Sequence, residues 1–325
     1  MATDRQVCTK TFPLNNGLSM PAVGLGTWQG RPGAEDERAM TASIIHALRS
    51  GYRLLDTAQI YRVEPIVGRA LRESGVPRSE VCIVTKLWGE RHHDPARALE
   101  ISLAAMGVDY VDVMLMHWPF AIEPETKRPL GIDETPTFVE TWRMMEALVG
   151  PKCRAIGVSN FSVKTLGVLL ESARVVPAVN QVEVQALHPC RKLVEYCREK
   201  GIHVMAWGSL GGSDPGPLGE LLTHDIFTGL AKTKACSVAV VHLSWAVQRG
   251  ITVIPKSQNA ARLDENIRLV TLSEEEMAVM DSAQDKIGRC RMVDMLMVEV
   301  DGKRMFKNWT PQDYGWEDEE GNWLE

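Results

Sequence analysis

The sequence predicts an α/β protein built as a closed (β/α)8 barrel, and three observations support this prediction. Eight apolar runs of strand length recur along the chain and alternate with segments in which the apolar residues have helical spacing. The runs lack polar alternation, which is typical of parallel strands covered by helices. The chain has 325 residues, a length that eight strand–helix units fill as one domain.

The predicted elements follow one another at regular intervals. The strands are expected at residues 22–26, 52–56, 81–86, 111–117, 154–159, 178–183, 203–207 and 252–255. The helices are expected at 35–48, 64–72, 95–105, 136–148, 163–171, 191–199, 237–247 and 260–267, with a further one at 273–281. Gly51, Gly201 and Gly250 each follow a predicted helix, where glycine readily adopts the left-handed conformation that ends helices.

The two ends of the chain lie outside this alternation. Residues 9–21 predict a β-hairpin that covers one end of the core, because Asn15-Asn16-Gly17 tolerates the positive φ of a tight turn. We expect one barrel domain over residues 1–325, with residues 286–325 as a C-terminal tail over or beside the barrel mouth. The aromatic residues of the tail predict that it packs on the rest of the protein; they are Trp309, Tyr314, Trp316 and Trp323. Its acidic run, Glu317-Asp318-Glu319-Glu320, predicts an exposed patch.

The composition argues against several classes of function. A hydrophobic content of 45% and a charged content of 24% are ordinary for a soluble globular protein. The net charge of −6 comes without a basic stripe, which argues against a nucleic-acid partner. No apolar run reaches the roughly 18–20 residues that a membrane span requires, and the first ten residues are polar. We therefore expect a cytoplasmic protein with no membrane partner.

The cysteines predict neither disulfides nor a metal site. The chain has seven, an odd number, and no C-x-x-C pair. Several lie in apolar strand or helix patterns, so we expect reduced packing residues. No cluster of histidine and cysteine has the spacing of zinc ligands, and we predict no metal.

Three of the strand-length runs end in a group that can move or steer a proton, namely Asp56, Lys86 and His117, and Tyr61 follows the first. Each residue alone has an ordinary alternative, as a loop cap, a solvated lysine or a core histidine. In a parallel barrel, however, the carboxyl ends of the strands meet at one mouth. The ammonium of Lys86 would lower the pKa of Tyr61, and Asp56 would keep Lys86 charged. This arrangement suits an acid that protonates a developing alkoxide, with neutral His117 holding the oxygen.

The segments GYRLLDTAQIY at 51–61, TKLW at 85–88 and LMHWP at 115–119 resemble the signatures of the aldo-keto reductase superfamily. The resemblance extends over residues 10–267. It implies that Tyr61 is the general acid, that Lys86 and Asp56 form the pair that tunes it, and that His117 orients and polarises the carbonyl.

A nicotinamide cofactor is needed for this chemistry, because side chains cannot donate hydride. The common dinucleotide fingerprint is absent, since Gly24-Leu25-Gly26 is followed by Gln29 where a third glycine is required. The resemblance implies instead that Ser159, Asn160 and Gln181 bind the nicotinamide carboxamide; without it, these residues would be read as loop caps.

The resemblance assigns further cofactor contacts near the eighth strand. Lys256, Ser257 and Arg262 suit a 2′-phosphate dianion, which favours NADPH over NADH. Where the family commonly has tyrosine-serine-proline-leucine-glycine, this chain has Trp207-Gly208-Ser209-Leu210-Gly211, so Trp207 is expected to stack on the nicotinamide. The remaining residues that the resemblance places at the cofactor are Thr27, Leu210, Asn259, Glu265 and Asn266.

Aromatic residues after the strand ends predict an apolar substrate pocket. Trp28, Trp88 and Trp118 each follow a predicted strand, and Phe120 lies close behind. Ordinary packing at the rim is the alternative. The tail resembles the variable C-terminal loop that shapes specificity in the family.

The sequence therefore predicts an NADPH-dependent reductase of an aldehyde or ketone, such as glyceraldehyde, an aldose or a related polyol-pathway carbonyl. A bulkier ketone of specialised metabolism, and alcohol oxidation, are alternatives within the same chemistry. A different class is an NADPH-binding regulatory subunit, similar to the potassium-channel β subunits. A barrel hydrolase is a further rival, although no second acidic residue is well placed beside Asp56. We expect a monomer or a weak dimer.

Overall fold

The computed structural model describes residues 5–30, 33, 36–212 and 219–324. Its centre is an eight-stranded parallel sheet in which every strand pairs with its neighbour in sequence. The strands are β3 (Leu25–Gly26), β4 (Leu54–Asp56), β5 (Cys82–Leu87), β6 (Val111–Met116), β7 (Cys153–Ser159), β8 (Val179–Glu183), β9 (His203–Trp207) and β10 (Thr252–Val253). A parallel bridge between Val23 and Val253 joins the first strand to the last, so the sheet closes into the predicted barrel.

Glycine makes the closure of the barrel possible. A Cβ atom on Gly26 would lie 2.6 Å from the carbonyl oxygen of Ile254, a distance that a carbon atom cannot occupy. The backbone of β3 can therefore approach the segment after β10 only without a side chain at this position. Gly24 donates its backbone N–H to the carbonyl of Val253 at 2.8 Å and completes the join.

The N-terminal hairpin covers the barrel end opposite the carboxyl ends of the strands. Its strands β1 (Thr11–Pro13) and β2 (Ser19–Pro21) pair antiparallel, with Thr11 opposite Pro21. Asn15 and Asn16 donate side-chain hydrogen bonds to the carbonyls of Pro177 and Arg154 at 3.0 and 3.1 Å. Both carbonyls lie at the amino ends of barrel strands, so the hairpin predicted at residues 9–21 is confirmed.

The helices surround the barrel close to their predicted positions. Gly51, Gly201 and Gly250 have φ of 108°, 68° and 83°, the left-handed terminators that the sequence predicted. The helix expected from residue 136 begins at Phe138, because the Thr137 hydroxyl caps it by accepting the N–H of Glu140. The helices up to the last barrel strand are α1 (Glu37–Arg49), α2 (Glu64–Ser74), α3 (Pro95–Met106), α4 (Phe138–Glu146), α5 (Val163–Leu170), α6 (Arg191–Glu199), α7 (Glu220–Thr223), α8 (Asp225–Thr233) and α9 (Val238–Gln248).

Several elements were not predicted from the sequence. Helices α7 and α8 precede α9, where one helix was expected. After α10 (Ala260–Asn266) and α11 (Glu274–Asp281), the structure contains α12 (Ala283–Ile287), an antiparallel pair of β11 (Val298–Val300) and β12 (Lys303–Met305), and α13 (Pro311–Tyr314). Apart from α8, the unpredicted elements contain only three to five residues each, too few to impose a sustained period on the sequence.

The tail packs against the barrel as predicted. Trp309 and Tyr314 are 2% and 0% exposed, and the indole of Trp309 donates to the carbonyl of Leu130 at 3.0 Å. The expectation of an exposed acidic patch is wrong for Glu317, which is buried and accepts from Arg291 at 2.6 Å and from Arg304 at 3.3 Å. Two guanidinium groups neutralise this carboxylate and permit its burial.

The tail lies over part of the barrel mouth. The carboxylate of Glu183, the last residue of β8, accepts the backbone N–H groups of Met292 and Val293 at 2.7 and 3.2 Å. Phe306 packs on Trp118 and Phe120, with ring centroids 5.0 and 5.6 Å apart. These contacts bring the tail to the end of the barrel at which the predicted site residues lie.

In the described part of the chain, no single helix combines the length and apolar character of a membrane span. One bent pair, Glu220–Thr233 with Val238–Gln248, meets the criteria jointly, with an angle of 81° between the two parts.

Candidate active site

The structure brings the four predicted catalytic side chains to one mouth. Asp56 ends β4, Lys86 lies at the carboxyl end of β5 and His117 follows β6. A 3₁₀ turn, Gln59–Tyr61, leads from β4 to the phenol of Tyr61. The rings of Tyr61 and His117 are 5.7 Å apart between centroids and meet edge to face.

The ammonium of Lys86 is the centre of this group. It donates to Asp56 Oδ1 at 2.6 Å, to the carbonyl of Thr57 at 2.9 Å and to the Tyr61 hydroxyl at 3.4 Å. These three acceptors match the three N–H bonds of an ammonium. Lys86 is 0% exposed and Asp56 is 2% exposed, so the ion pair is removed from bulk solvent.

Both members of the ion pair have perturbed acidity. Burial by itself lowers the pKa of Lys86, but Asp56 and Tyr61 outweigh burial, so the pKa is raised and the ammonium persists. Burial raises the pKa of Asp56 above its usual value, although the charge of Lys86 and hydrogen bonds from Lys86 and Gln181 act in the opposite direction. With donors on both of its oxygens, the Asp56 carboxylate can remain the counter-ion of Lys86.

The acidity of Tyr61 differs from the prediction. The sequence predicted that Lys86 lowers the pKa of the phenol, but burial outweighs the ammonium, and the pKa of Tyr61 is raised above 10. The phenol is therefore fully protonated at neutral pH. Lys86 acts on the deprotonated form of Tyr61, because its ammonium lies where it can stabilise the phenolate that remains after the proton has been transferred.

His117 is a neutral imidazole. Burial, followed by the charge of Lys86 and the nearby His92, holds the pKa of His117 well below 6.5. Its backbone is fixed on both sides, since its N–H donates to the carbonyl of Leu87 at 3.1 Å and its own carbonyl accepts from Asn160 Nδ2 at 2.9 Å. A neutral ring has one N–H to donate, as the sequence analysis required.

The residues predicted to bind a carboxamide form one connected group. The Ser159 hydroxyl donates to the backbone carbonyl of Gln181 at 2.7 Å, and Trp207 Nε1 donates to Asn160 Oδ1 at 2.9 Å. Asn160 has a φ of 62°, a left-handed conformation that asparagine tolerates better than most residues. Thr27 is also close, since its hydroxyl donates to the carbonyl of Asp56 at 2.9 Å. Strands β3, β7, β8 and β9 thus supply polar groups around the same mouth.

The residues predicted at the adenosine end lie on the loop after β10 and on α10. Lys256 and Arg262 are exposed, and none of the ion pairs found in the described residues includes either one. Partial burial lowers the pKa of Lys256, a cost that a nearby phosphate would reverse. Ser257 Oγ accepts the backbone N–H of Asn259 at 3.1 Å, and Asn259 caps α10. Two cations without an anionic partner, beside a hydroxyl, fit a phosphate group.

Of the other residues predicted to contact the adenosine, Glu265 is hydrogen-bonded within the protein and Asn266 is buried. Glu265 accepts the backbone N–H of Ser237 at 3.1 Å and lies 3.7 Å from Arg5. Asn266 is 4% exposed. Leu210, predicted at the same cofactor, is half-buried after β9 and packs on the main core.

Comparison with known proteins identifies the family. The profile described as "Aldo/keto reductase family" matches residues 22–285. The chain belongs to the aldo/keto reductase family.

Two yeast relatives match this aldo/keto reductase over most of its length. Glycerol 2-dehydrogenase (NADP(+)) of Saccharomyces cerevisiae is 39% identical over 302 residues, which cover 88% of this chain and 94% of the relative. An aldehyde reductase of the same organism is 38% identical, with the same shares covered.

Solved structures of aldo-keto reductases are similar to this chain in fold and in sequence. An aldo-keto reductase of Bombyx mori in complex with NADP has a TM-score of 0.75 and 31% identity, covering 85% of this chain and 93% of its own. The aldose reductase of Schistosoma japonicum has a TM-score of 0.77 and 32% identity, covering 88% and 95%.

The predicted substrate walls of this aldo/keto reductase fall into two pairs. Trp28 lies 4.9 Å from Tyr61, and Trp88 lies 5.4 Å from His117, measured between ring centroids. Trp118 and Phe120 are instead 6% and 0% exposed and pack beneath the tail. The tail aromatics cover the second pair, although Phe120 also contacts Trp88 at 5.8 Å, so the assignment of Trp118 and Phe120 to a substrate pocket stays a prediction.

Some residues of the site were missed by the sequence analysis. The Thr57 carbonyl holds Lys86, Glu183 holds the tail, and Phe306 covers Trp118. A backbone acceptor leaves no mark in the sequence, and Phe306 lies in a segment without periodicity. Within the described ranges, no group of three or more histidine, cysteine, aspartate or glutamate side chains could hold a metal ion.

Proposed function

We propose that this aldo/keto reductase reduces an aldehyde or ketone to an alcohol, with NADPH as cofactor and Tyr61 as the proton donor. One observation carries the proposal. The Tyr61 hydroxyl is within hydrogen-bond reach of the Lys86 ammonium, which Asp56 holds in place, and His117 lies beside them at the barrel mouth.

Tyr61 would protonate the carbonyl oxygen as negative charge develops on it. A raised pKa keeps the phenol protonated at neutral pH, and an alkoxide is basic enough to take this proton. Lys86 then lies 3.4 Å from the phenolate oxygen and stabilises its charge. A positioned general acid typically contributes about 10²–10⁴-fold in rate.

His117 would hold the same oxygen from a second direction. Its neutral ring can donate one N–H without adding a charge that competes with Lys86. An oxyanion donor in a water-poor site is worth about 3 kcal/mol of transition-state stabilisation. Two hydrogen bonds fix the backbone of His117, one from its N–H to the carbonyl of Leu87 and one from Asn160 Nδ2 to its own carbonyl.

NADPH, when bound, supplies the hydride that no side chain can provide. Ser159, Asn160 and Gln181 would hold its carboxamide, and Trp207 would stack on the nicotinamide ring. Lys256, Ser257 and Arg262 would bind the 2′-phosphate, helped by Asn259, Glu265 and Asn266 at the adenosine. Thr27 and Leu210 complete the set.

Small aldehydes are the substrate class that we propose. Trp28 and Trp88 lie beside Tyr61 and His117 and would form an apolar wall around a compact carbonyl compound. The relatives include a D/L-glyceraldehyde reductase of Hypocrea jecorina, 35% identical over 298 residues, which supports this choice. Glyceraldehyde and aldoses are therefore the first compounds to test.

The test is a panel of carbonyl compounds incubated with the purified protein and NADPH or NADH, followed at the cofactor absorbance. We expect turnover of glyceraldehyde or another small aldehyde, faster with NADPH. Turnover of bulky ketones but not of small aldehydes would contradict the proposed substrate class and favour a bulkier ketone as the substrate. Tight NADPH binding without turnover of any compound would favour the regulatory alternative and contradict the proposal.

We also propose that residues 1–325 act as one barrel domain with residues 286–325 as its tail, in a cytoplasmic monomer or weak dimer. Several buried tail residues support the first part, namely Arg291, Val293, Trp309, Tyr314, Trp316 and Glu317, and the odd number of cysteines without a C-x-x-C pair supports the cytoplasmic location. Light scattering, a single calorimetric transition and cell fractionation would test these points.

A further inference from the structure

Gln181 makes a direct hydrogen bond across the barrel to Asp56. Its Nε2 donates to Asp56 Oδ2 at 2.6 Å, and both residues are buried, with exposures of 1% and 2%. Three strands separate β8 from β4 in either direction around the sheet, so the bond joins opposite walls. The other carboxylate oxygen of Asp56 accepts from Lys86.

We propose that Gln181 is a positioning residue for the proton donor, which acts by fixing the ionised carboxylate of Asp56 and, through it, the Lys86 ammonium beside Tyr61. This inference rests on the proposed reduction with Tyr61 as acid. It assigns to Gln181 a role toward the proton donor in addition to the carboxamide contact proposed above.

A continuous series of contacts supports the proposal. Gln181 contacts Asp56 at 2.6 Å, Asp56 contacts Lys86 at 2.6 Å, and Lys86 reaches the Tyr61 hydroxyl at 3.4 Å. A buried carboxylate needs a donor on each oxygen, and the described contacts give it Lys86 on one and Gln181 on the other. Removing the amide would leave Asp56 Oδ2 without this donor.

The backbone of Gln181 is well fixed for this purpose. Its carbonyl accepts the Ser159 hydroxyl at 2.7 Å and the backbone N–H of Asn160 at 2.9 Å. The Sδ of Met205 lies 4.0 Å from Nε2 and packs against the amide. The side chain therefore extends from a rigid strand and can hold Asp56 in one orientation.

The charged and titratable groups around Asp56 come from several elements. Lys86 on β5 and Tyr61 on the turn after β4 are the nearest, and His117 after β6 is held neutral. Burial and, to a smaller extent, the charge of Asp56 raise the pKa of the Cys82 thiol at the start of β5. Glu64 on α2 accepts a hydrogen bond from the Thr85 hydroxyl at 2.7 Å. Gln181 donates its hydrogen bond directly to Asp56, so loss of the Gln181 amide should change the pKa of Asp56 more than that of any other group.

The expected sign follows from the ionised form of Asp56. The Gln181 N–H favours the carboxylate, so it lowers the pKa of Asp56, and loss of the amide raises that pKa. Asp56 must be ionised to hold the Lys86 ammonium beside Tyr61, so activity is lost as pH falls through this pKa although Lys86 stays charged. A hydrogen bond to a charged group corresponds to about one to two pH units, so the acid limit should move upward by that amount.

The test compares Gln181→Met with the native chain in two measurements. In the cofactor-free protein, a ¹³C NMR titration of the Asp56 carboxyl should show its midpoint about one to two pH units higher. In the complete reaction at saturating NADPH, the acid limb of kcat should move in the same direction. Gln185→Met is the matched control, because Gln185 is a buried glutamine that bonds the Cys290 carbonyl at 2.7 Å instead. It should leave the Asp56 titration unchanged.

An unchanged Asp56 titration in folded Gln181→Met, with only a raised KM for NADPH, would make Gln181 a cofactor ligand alone and overturn the proposal. If Gln181→Met does not fold, Gln181→Leu offers the same loss of the donor with a branched apolar side chain, and the same midpoint shift is expected. Failure of the native protein to reduce any carbonyl would refute the proposed function, whereas the cofactor-free titration would still decide whether Gln181 holds Asp56.

Discussion

Lys86 Nζ lies 3.4 Å from the hydroxyl of Tyr61, at the upper end of hydrogen-bond distances, whereas its contact with Asp56 is much shorter at 2.6 Å. The ammonium is therefore held primarily by the carboxylate and is available to the phenol. Because burial raises the pKa of Tyr61 in spite of this neighbour, the resting site contains a neutral phenol beside a charged lysine. Charge on the phenol develops only when its proton is given away.

Tyr61→Phe should abolish most of the reduction and retain NADPH binding. The change removes only the hydroxyl, so we expect kcat to fall by about 10²–10⁴-fold. The NADPH Kd, measured by protein fluorescence, should stay close to the native value. A parallel loss of NADPH affinity and rate would instead indicate that Tyr61 has a structural role.

The pH dependence of reduction should lack an alkaline limb near neutrality. The raised pKa of Tyr61 means that the proton donor is present below pH 10 and disappears only above that value. Initial rates at saturating NADPH and substrate should therefore be flat from neutral pH towards pH 10, provided that chemistry limits the rate. Oxidation of the alcohol needs the phenolate and should accelerate as pH rises. A fall in reduction centred near pH 8 would contradict the raised pKa of Tyr61.

The strand ends were predictable from sequence, and the environment of Tyr61 was not. Asp56, Lys86 and His117 each end an apolar run, and the parallel barrel then requires them to meet. The pKa of Tyr61 depends on burial, which comes partly from Trp28 at a ring distance of 4.9 Å and is not encoded locally.

The tail shows the same limit. Its elements contain only a few residues each, and left-handed residues such as Lys307 and Asn308, with φ of 53° and 65°, interrupt any period. Glu317 lies in an acidic run that is typical of an exposed surface. Its burial depends on Arg291, 26 positions away in sequence, which no local pattern reveals.

Lys256→Ala and Arg262→Ala should weaken NADPH much more than NADH. Each cation is exposed at the start of the α10 region, and a charge-assisted bond to phosphate is worth roughly 1.5–3 kcal/mol, or about 10–100-fold in Kd. Fluorescence titration with both cofactors checks the selectivity. Lys303→Ala removes an exposed lysine of β12 and serves as the control. Equal weakening of both cofactors would remove the phosphate assignment.

The last prediction concerns the attachment of the tail to the barrel. Arg291 and Glu317 form a 2.6 Å ion pair with side-chain exposures of 3% and 5%. Glu317→Gln would leave a buried guanidinium with a weaker partner, and breaking a buried pair typically costs about 3–5 kcal/mol. The remaining contact of Arg291 with Asp294 offsets part of this cost, so we expect the lower end of that range in chemical denaturation.

The same variant should change the kinetics in a particular way. The tail residue Phe306 covers Trp118 and Phe120, so a loosened tail should raise the KM for the carbonyl more than it lowers kcat. Glu100→Gln breaks the exposed pair between Glu100 and Lys152 and, as a control, should change the free energy of unfolding by no more than about 1 kcal/mol. A Glu317→Gln protein as stable as the native chain, with an unchanged KM, would show that this ion pair does not hold the tail over the mouth.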